Sequence, residues 1–446
     1  MPEAWVGARS DATRVETGSM KRLRMVETNS NPERVLLAAL RVPKQSRRDI
    51  EESLEELGRL TESASGVVVG SLIQNLSSRS SRLYFGKGKV EELRALARER
   101  TADLVITDDN LSPAQERNLS RALGLKVIDR RALILDIFAQ RARTSEGKLQ
   151  VELAQLSYLL PRLVGRWSHL ERLGGGIGTR GPGETQLESD RRIIRRRIQQ
   201  IQRELGSVQR HRRLLRDRRR AAGWPVVALV GYTNAGKTTL LNRLSGSHFT
   251  VADQLFVTLD PAARLVALAN RQPFILTDTV GFIRKLPPEL VAAFRATLEH
   301  LRDADVLLHV VDASHPRAAE QTEAVDRLLC DLDLGERPVL LALNKVDWVE
   351  EPHELRRLTQ ESGGIPISAL TGACLPELLT AIEGALRARV GHVTLRIPYA
   401  DGPALALCYQ KGRVLRREDG EGGVMLDVAL PRPFLGRLSA YRVARL

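Results

Sequence analysis

The stretch Gly231-Tyr232-Thr233-Asn234-Ala235-Gly236-Lys237-Thr238 follows an apolar run at residues 224–230 and precedes a helix-forming segment that ends near Leu244. An apolar run without helical periodicity predicts a buried strand. Glycines at the first and sixth positions let backbone N–H groups turn toward phosphate oxygens, and the next helix points its positive end there. A strand and a helix joined by incidental glycines is the alternative, but the whole pattern GxxxxGK[ST] is matched. The stretch therefore predicts a P-loop that binds a nucleoside triphosphate.

Several side chains in and after this loop have predicted roles. Lys237 is expected to reach the β and γ phosphates, and the hydroxyl of Thr238 is expected to ligate Mg²⁺. Thr239 is included among the residues expected to contact the nucleotide. Further along the chain, Thr258 lies in a predicted loop that would close on the γ phosphate and on Mg²⁺, although Thr250 is a nearby competitor for this role.

A second nucleotide motif follows a predicted strand at residues 273–276. It reads Asp278-Thr279-Val280-Gly281. The Asp278 carboxylate would hold the Mg²⁺ shell, and the Gly281 N–H would sense the γ phosphate. Together with Lys237 and Thr258, these two residues form the predicted catalytic group, which acts by electrostatic stabilisation rather than as an acid or base. The pattern DxxG is common by chance, but its place at a strand end downstream of a P-loop is not.

Two further motifs, each after a predicted strand, indicate that the base is guanine. They are Asn344-Lys345-Val346-Asp347 and Ser368-Ala369-Leu370. Asp347 can accept from both N1–H and the exocyclic amine of guanine, a pair of donors that adenine lacks. Asn344 and the Lys345 stem would brace the base, and the Ala369 N–H would reach guanine O6. Because an unmet hydrogen-bonding group is costly when buried, these motifs favour GTP over ATP.

The four motifs, in this order and at predicted strand ends, resemble those of the Ras-like translation-factor class of GTPases. The resemblance implies a P-loop G domain that hydrolyses GTP to GDP and phosphate. Phe282 stands where many enzymes of this class carry a glutamine that orients the attacking water. Because a phenyl ring forms no strong hydrogen bond, we predict slow intrinsic hydrolysis that a binding partner accelerates. Arg284 and Lys285, which follow, are expected to be surface charges, and assistance in hydrolysis is the alternative.

The composition indicates a protein of several domains that binds polyanions. The chain has 446 residues, which predicts three or more domains, and a net charge of +14. Cys330, Cys374 and Cys408 lie far apart, which supports neither a disulfide framework nor a zinc site and is typical of a reducing cytoplasm. No apolar run reaches the roughly 18 residues needed to span a bilayer, so membrane association would be peripheral at most. We expect a cytoplasmic monomer.

Periodicity divides the chain into five predicted parts, and the predicted fold class is α/β multidomain. Residues 1–30, with many charges and scattered apolar residues, predict a disordered leader. Residues 31–145 alternate predicted strands and helices, which indicates a parallel α/β domain. An antiparallel helical hairpin with a glycine-rich loop is predicted at residues 146–222, a Ras-like P-loop G domain at 223–390 and a small α+β domain at 391–446.

The predicted hairpin carries a second candidate site. Its long helix is expected from Glu184 to about Arg220, with apolar residues on one seam and arginines on the other faces. A run of charged residues is usually just the solvent-exposed face of a helix. Here the charges are nearly all positive, since only Asp190, Glu204 and Asp217 are acidic within residues 190–220, and this favours nucleic-acid binding. The glycine-rich loop could enter a space that side chains would block. The candidate RNA contacts are Gly175, Gly176, Gly178, Arg180, Arg191, Arg192 and Arg195.

Three segments narrow the resemblance to the HflX family of ribosome-associated GTPases. They are Phe85-Gly86-Lys87-Gly88-Lys89, Gln150-Val151-Glu152-Leu153-Ala154 and Gly181-Pro182-Gly183-Glu184-Thr185-Gln186-Leu187-Glu188 with Asp190-Arg191-Arg192. The resemblance implies a GTPase that binds the large (50S) ribosomal subunit and its RNA and splits or rescues stalled ribosomes. It leaves open whether the N-terminal domain also binds ATP. By itself, the first segment suggests either a phosphate contact in a flexible loop or a solvated turn.

Two alternatives stay open at the level of the sequence. One is a GTPase of ribosome assembly or RNA modification, and the other is an RNA-remodelling protein that ATP drives and GTP regulates. Conversion of whole ribosomes to subunits would distinguish a splitting factor from an assembly factor. The C-terminal part, where the resemblance is weaker, is expected to contact the ribosome or another partner rather than to carry out catalysis.

Overall fold

The first sheet consists of strands β1 (Arg34–Arg41), β2 (Val67–Asn75), β3 (Leu104–Thr107) and β4 (Lys126–Asp129). The strands are parallel and lie in the order β2-β1-β3-β4. The structure, a computed structural model, describes residues 32–43, 45–76, 82–163, 182–222, 224–247, 255–256, 262–268, 272–279, 281–283, 285, 301–302, 304–332, 334–335, 337–387 and 390–443. The predicted leader, residues 1–30, therefore lies outside the described residues.

Helices cover both faces of this sheet. They are α1 (Arg47–Ser63), α2 (Lys87–Glu99), α3 (Pro113–Leu123) and α4 (Arg130–Arg141). Alternate residues of β1 enter two different hydrophobic cores, as Leu37 and Leu36 illustrate. Ser46 and Ser112 begin α1 and α3 with capping boxes, which satisfy the first N–H groups of each helix. The predicted parallel α/β fold is confirmed.

The start of α2 differs from the prediction of a flexible loop before the helix. Gly86 is the N-cap of α2, so Lys87 and Lys89 lie in its first turn rather than in a loop. The Gly86 N–H donates to Gln74 Oε1 at 2.9 Å, and Lys89 Nζ donates to Glu92 at 2.8 Å. The Gly86 N–H and the Lys89 ammonium group therefore both have hydrogen-bond partners within the protein.

Two helices follow the first sheet. Helix α5 (Ser145–Leu159) ends in a 3₁₀ turn at Leu160–Arg162, and α6 (Pro182–Ala222) extends over 41 residues. The two helices pack together, and Arg197 donates to both carboxylate oxygens of Glu152 at 2.7 and 2.8 Å. Four of the candidate RNA contacts lie between the helices and outside the described residues: Gly175, Gly176, Gly178 and Arg180.

The second sheet has six strands in the order β10-β9-β8-β5-β7-β6. These strands are β5 (Val226–Val230), β6 (Ala263–Ala267), β7 (Pro273–Thr277), β8 (Val306–Asp312), β9 (Val339–Asn344) and β10 (Ile365–Pro366). Only β6 is antiparallel to its neighbour. The flanking helices include α7 (Lys237–Ser245), α8 (Ala318–Asp331), α9 (Pro352–Ser362) and α10 (Leu375–Arg387). The carboxyl ends of β5, β7, β8 and β9 meet at one edge, where ligands bind in open α/β sheets.

The third sheet is antiparallel, with the order β11-β13-β12. Its elements are β11 (Val390–Pro398), α11 (Gly402–Lys411), β12 (Arg413–Gly420) and β13 (Gly423–Pro431). After β13, Arg432–Leu435 forms one α-helical turn and Gly436–Tyr441 is a 3₁₀ helix. Residues 33–446 form one compact unit, and the predicted domain boundaries within it stay predictions. Within the described residues, no helix combines the length and apolar character needed to span a bilayer.

Candidate nucleotide-binding site

The P-loop between β5 and α7 depends on two glycines. Gly231 has a φ of +147° and Gly236 a φ of +91°, values that side chains with a Cβ rarely adopt. A Cβ on Gly231 would lie 2.2 Å from Val310 O, and one on Gly236 would lie 2.2 Å from Asn344 Nδ2. Both glycines are therefore required by close packing as well as by the turn that exposes backbone N–H groups.

Lys237 begins α7 and is 6 % exposed. Its Nζ donates to Gly231 O at 3.0 Å and to Tyr232 O at 2.7 Å, which holds the amine inside the P-loop. Burial lowers the pKa of Lys237 to about 8, although the Asp278 carboxylate acts in the opposite direction. An anionic phosphate beside this amine would favour its charged form, as the predicted role requires.

Asp278 follows β7 and is fully buried. Its Oδ2 accepts from Thr238 Oγ1 at 2.7 Å, and its Oδ1 accepts from the Thr279 N–H at 2.9 Å. A hydroxyl and a carboxylate oxygen thus meet beside the P-loop, and such hard oxygen donors suit Mg²⁺. In the part of the chain that the structure describes, no cluster of three or more His, Cys, Asp or Glu side chains could hold a metal ion. A cation at Thr238 and Asp278 would therefore take further ligands from phosphate and water.

The loop after Asp278 is bonded directly to the P-loop. The Phe282 N–H donates to Gly231 O at 3.0 Å, and the Thr233 N–H donates to Phe282 O at 2.7 Å. A Cβ on Gly281 would lie 2.8 Å from Thr233 Cα and 3.1 Å from Lys237 Nζ. The buried Thr233 Oγ1 has no hydrogen-bond partner among the described residues. A phosphate group bound between these two loops would meet Lys237, Gly281 and this hydroxyl, so the types of residue present suit the predicted ligand.

The phenyl ring of Phe282 lies in the hydrophobic core. The residue is 5 % exposed and belongs to a cluster with Val230 of β5 and Leu307 of β8. The ring is therefore packed away from solvent and offers no hydrogen bond to an attacking water. Thr258 and Val280, two other residues of the predicted site, lie outside the described residues.

Asn344 connects two loops at the predicted guanine end of the site. It is 2 % exposed at the end of β9. Its Nδ2 donates to Ala235 O at 2.8 Å, and its Oδ1 accepts from the Ala369 N–H at 2.9 Å. The sequence predicts this N–H as a donor to guanine O6, whereas here it donates to Asn344. Asp347, the predicted guanine reader, is exposed in the 3₁₀ turn Val346–Trp348.

Lys345 forms an ion pair with Asp312, a residue outside the four predicted motifs. Its Nζ lies 2.7 Å from Asp312 Oδ2 and 5.1 Å from the centre of the Trp348 ring. These contacts fix the Lys345 stem that is predicted to brace the base. Asp312 ends the apolar strand β8 at the same sheet edge as the motifs, and this position is the signal that could have revealed it. In the neighbouring loop Ser368 is fully buried, whereas Leu370 is exposed.

The second candidate site lies on α6. Arg192 and Arg195 are exposed, and Arg191 is half-buried. Among the residues of α6 whose side chains are described, the exposed arginines are Arg192, Arg195, Arg196, Arg203 and Arg210. Residues 223–225 separate this helix from β5, so the basic surface and the P-loop belong to adjacent elements.

Three family models match the chain. A model described as "GTP-binding GTPase N-terminal" matches residues 51–139, and one described as "GTP-binding GTPase Middle Region" matches residues 141–219. A third, described as "50S ribosome-binding GTPase", matches residues 226–345. The matches correspond in order to the first sheet, the pair of long helices and the P-loop sheet.

Similar proteins carry the name "GTPase HflX". The protein from Caldanaerobacter subterraneus subsp. tengcongensis is 47% identical over 421 residues, which cover 94% of this chain and 96% of the relative. The protein from Escherichia coli is 47% identical over 384 residues, covering 85% and 90%. Among solved structures, a GTP-binding protein from Sulfolobus solfataricus in complex with GDP is 27% identical and covers 79% of this chain and 98% of that chain, with a TM-score of 0.42.

Proposed function

Since the chain belongs to the HflX family of GTPases, we propose that it binds the large ribosomal subunit under control of its nucleotide and splits or rescues stalled ribosomes. The protein is a GTP-hydrolysing enzyme. The proposal assigns the nucleotide to the edge of the P-loop sheet and the ribosomal RNA to the basic face of α6.

The observation that carries the proposal is the surface of exposed arginines on α6. A rigid helix with exposed Arg192 and Arg195 presents planar guanidinium groups, which suit bidentate contacts with phosphates. Such contacts release counterions from RNA and make binding depend on salt. Helix α6 leads into β5 through residues 223–225, and the P-loop follows β5, so one continuous stretch of chain joins the proposed RNA surface to the nucleotide site.

Mg²⁺ is the cation that we propose for the nucleotide site. Thr238 and Asp278 would hold it, and it would neutralise charge on the phosphates as hydrolysis proceeds. Lys237 would bind the same phosphates from the other side of the P-loop. Since Phe282 is buried and cannot orient water, we propose a low intrinsic rate that the ribosome raises by ordering the loops around the γ phosphate.

Co-sedimentation with purified large subunits tests the RNA surface. The double variant Arg192→Glu/Arg195→Glu should bind subunits at least about tenfold more weakly in the presence of a non-hydrolysable GTP analogue and Mg²⁺. The same charge change on α9, Arg356→Glu/Arg357→Glu, is the matched control, because both of these arginines are also exposed on a helix. GTP affinity should stay unchanged in both variants. Binding of the α6 variant at the level of the control would refute the assignment of this surface.

The proposed outcome of binding has its own test. Purified protein with a GTP analogue should convert whole ribosomes to subunits in a sucrose gradient, whereas protein with GDP should not. Binding to free large subunits without any effect on whole ribosomes would favour the assembly or modification alternative.

A further inference from the structure

One side of α1 contacts loops of the nucleotide-binding site. Asp49 and Glu52 both pair with Arg317, which precedes α8, at 2.9 and 2.5 Å. At the end of α1, Ser63 Oγ accepts from the Leu255 N–H at 3.1 Å. With Glu56 between them, these residues are spaced by three, four and seven positions, which places them on one side of the helix.

Glu56 and Asp108 join two nucleotide loops through one chain of polar contacts. The Tyr232 hydroxyl, in the P-loop, donates to Glu56 Oε1 at 2.5 Å. Glu56 pairs with Arg130, and Arg130 Nη1 donates to Asp108 Oδ1 at 2.7 Å. The other Asp108 oxygen accepts from Lys285 Nζ at 2.5 Å. Because the P-loop and the loop after Asp278 are also bonded through Phe282, these contacts form a closed ring.

The centre of the ring is buried, and Lys285 at its edge is 33% exposed. The side chains of Arg130 and Asp108 are each 1% exposed. Burial alone would raise the pKa of Asp108, but the charges of Arg130 and Lys285 hold that pKa below its usual range. Lys285, which also pairs with Asp109 at 2.9 Å, is therefore not the plain surface charge expected from the sequence. Breaking such a paired set at one member is costly, so the ring resists separation of the loops that it joins.

Apolar contacts reinforce the same attachment. The Phe256 ring lies 4.6 Å from the Phe138 ring of α4, measured between centroids. Leu255 and Ile283 belong to the hydrophobic core that also contains residues of α1 and α4. The loops on both sides of the nucleotide site are thus packed on the N-terminal domain.

We propose that Glu56 and Asp108 are positioning residues that hold the loop after Asp278 against the P-loop and thereby favour GDP over GTP. Gly281 lies so close to Thr233 and Lys237 that a γ phosphate, which contacts Lys237 and the Gly281 N–H, requires the two loops to separate. GDP has no γ phosphate, so it can bind while the two loops stay in contact. Anything that stabilises the closed pair therefore weakens GTP binding more than GDP binding. This inference does not depend on any role at the ribosome.

The ratio of two dissociation constants tests the proposal. The full chain with Mg²⁺ is titrated with GDP and with a non-hydrolysable GTP analogue. Lys285→Met removes the ion pairs with Asp108 and Asp109, and Tyr232→Phe removes the hydrogen bond to Glu56, so each should shift the ratio toward the GTP analogue by at least about tenfold. Lys285→Arg should restore the wild-type ratio, because Lys285 is 33% exposed and a guanidinium there keeps both ion pairs.

Glu56→Gln has a matched control in Glu55→Gln, which makes the same change at an exposed position of the same helix. The first should shift the ratio and the second should not. Thermal unfolding of each variant identifies one that fails to fold. If one of the other variants fails to fold, the ratio measured for Tyr232→Phe, which deletes only a hydroxyl, tests the proposal. A wild-type ratio in Tyr232→Phe, or an equal change in the affinities for both nucleotides, would overturn the proposal.

Discussion

Replacing Asn344 by alanine should destabilise both loops that this side chain connects. The change removes the hydrogen bonds to Ala235 O and from the Ala369 N–H. Both partners are buried, since Ala235 is 1% and Ala369 3% exposed, so water cannot replace the lost bonds without rearrangement. Each stranded group costs about 1–3 kcal/mol, which gives a combined loss of about 2–6 kcal/mol. A domain is stable by only about 5–15 kcal/mol, so the loss is a large fraction of the total.

Urea unfolding and calorimetric titration with GDP measure the effect of Asn344→Ala. The unfolding midpoint of the P-loop sheet should fall, and GDP should bind more weakly because Ala235 lies within the P-loop. Asn344→Asp should also lower the unfolding midpoint and the affinity for GDP. It keeps an acceptor for the Ala369 N–H, but its second carboxylate oxygen faces Ala235 O, which is also an acceptor. Asn118→Ala is the control, because the Asn118 side chain donates to Arg82 O at 3.0 Å, a contact within the first part of the chain. If Asn344→Ala unfolded and bound GDP like the wild type, the two bonds would not hold these loops.

Three further predictions concern the P-loop and its neighbour. On folding, the pKa of Lys237 falls from 10.5 to about 8. At a pH between these two values the unfolded chain binds a proton that the folded chain does not. The contribution of Lys237 to the free energy of unfolding therefore rises with pH in this range. A bound phosphate favours charged Lys237, so nucleotide affinity should fall above pH 8, with proton uptake measurable by calorimetry in buffers of different ionisation enthalpy. Gly231→Ala should abolish GDP binding in the same titration, because its Cβ would lie 2.2 Å from Val310 O. Single-turnover GTP hydrolysis should accelerate when large subunits are added, and equal rates with and without them would contradict the role given to buried Phe282.

The N-terminal sheet was the most predictable part of the molecule. Its strands and helices carry their signals locally, as in the capping boxes of Ser46 and Ser112. Strand β6 was not predicted, because four of its five residues are exposed and only its pairing with β7 makes it a strand. The central strand β8 was also missed, although its buried apolar run was visible. A short apolar run also fits a buried helix segment, and none of the four nucleotide motifs follows this run to favour a strand.

The sequence motifs predict a set of residues for the nucleotide site, but they do not predict the contacts that hold these residues. Thr238 and Asp278 come together as the two motifs imply. The pairing of Lys345 with Asp312 and the hydrogen bond between Tyr232 and Glu56 join segments far apart in the chain. No local pattern encodes such a contact, because it depends on how separate elements pack. The site's chemistry was therefore more predictable than its mechanical support.

Helix α6 also has a mechanical consequence that follows from its length. With 41 residues at about 1.5 Å each, a straight helix of this kind spans about 60 Å. Its C-terminal end is close in sequence to β5, whereas its N-terminal end follows the glycine-rich segment. A tilt of about 10° at the β5 end would carry the opposite end through about 10 Å, the width of an α-helix. A small change in the direction of α6 at its β5 end would therefore become a displacement of about one helix width at its N-terminal end.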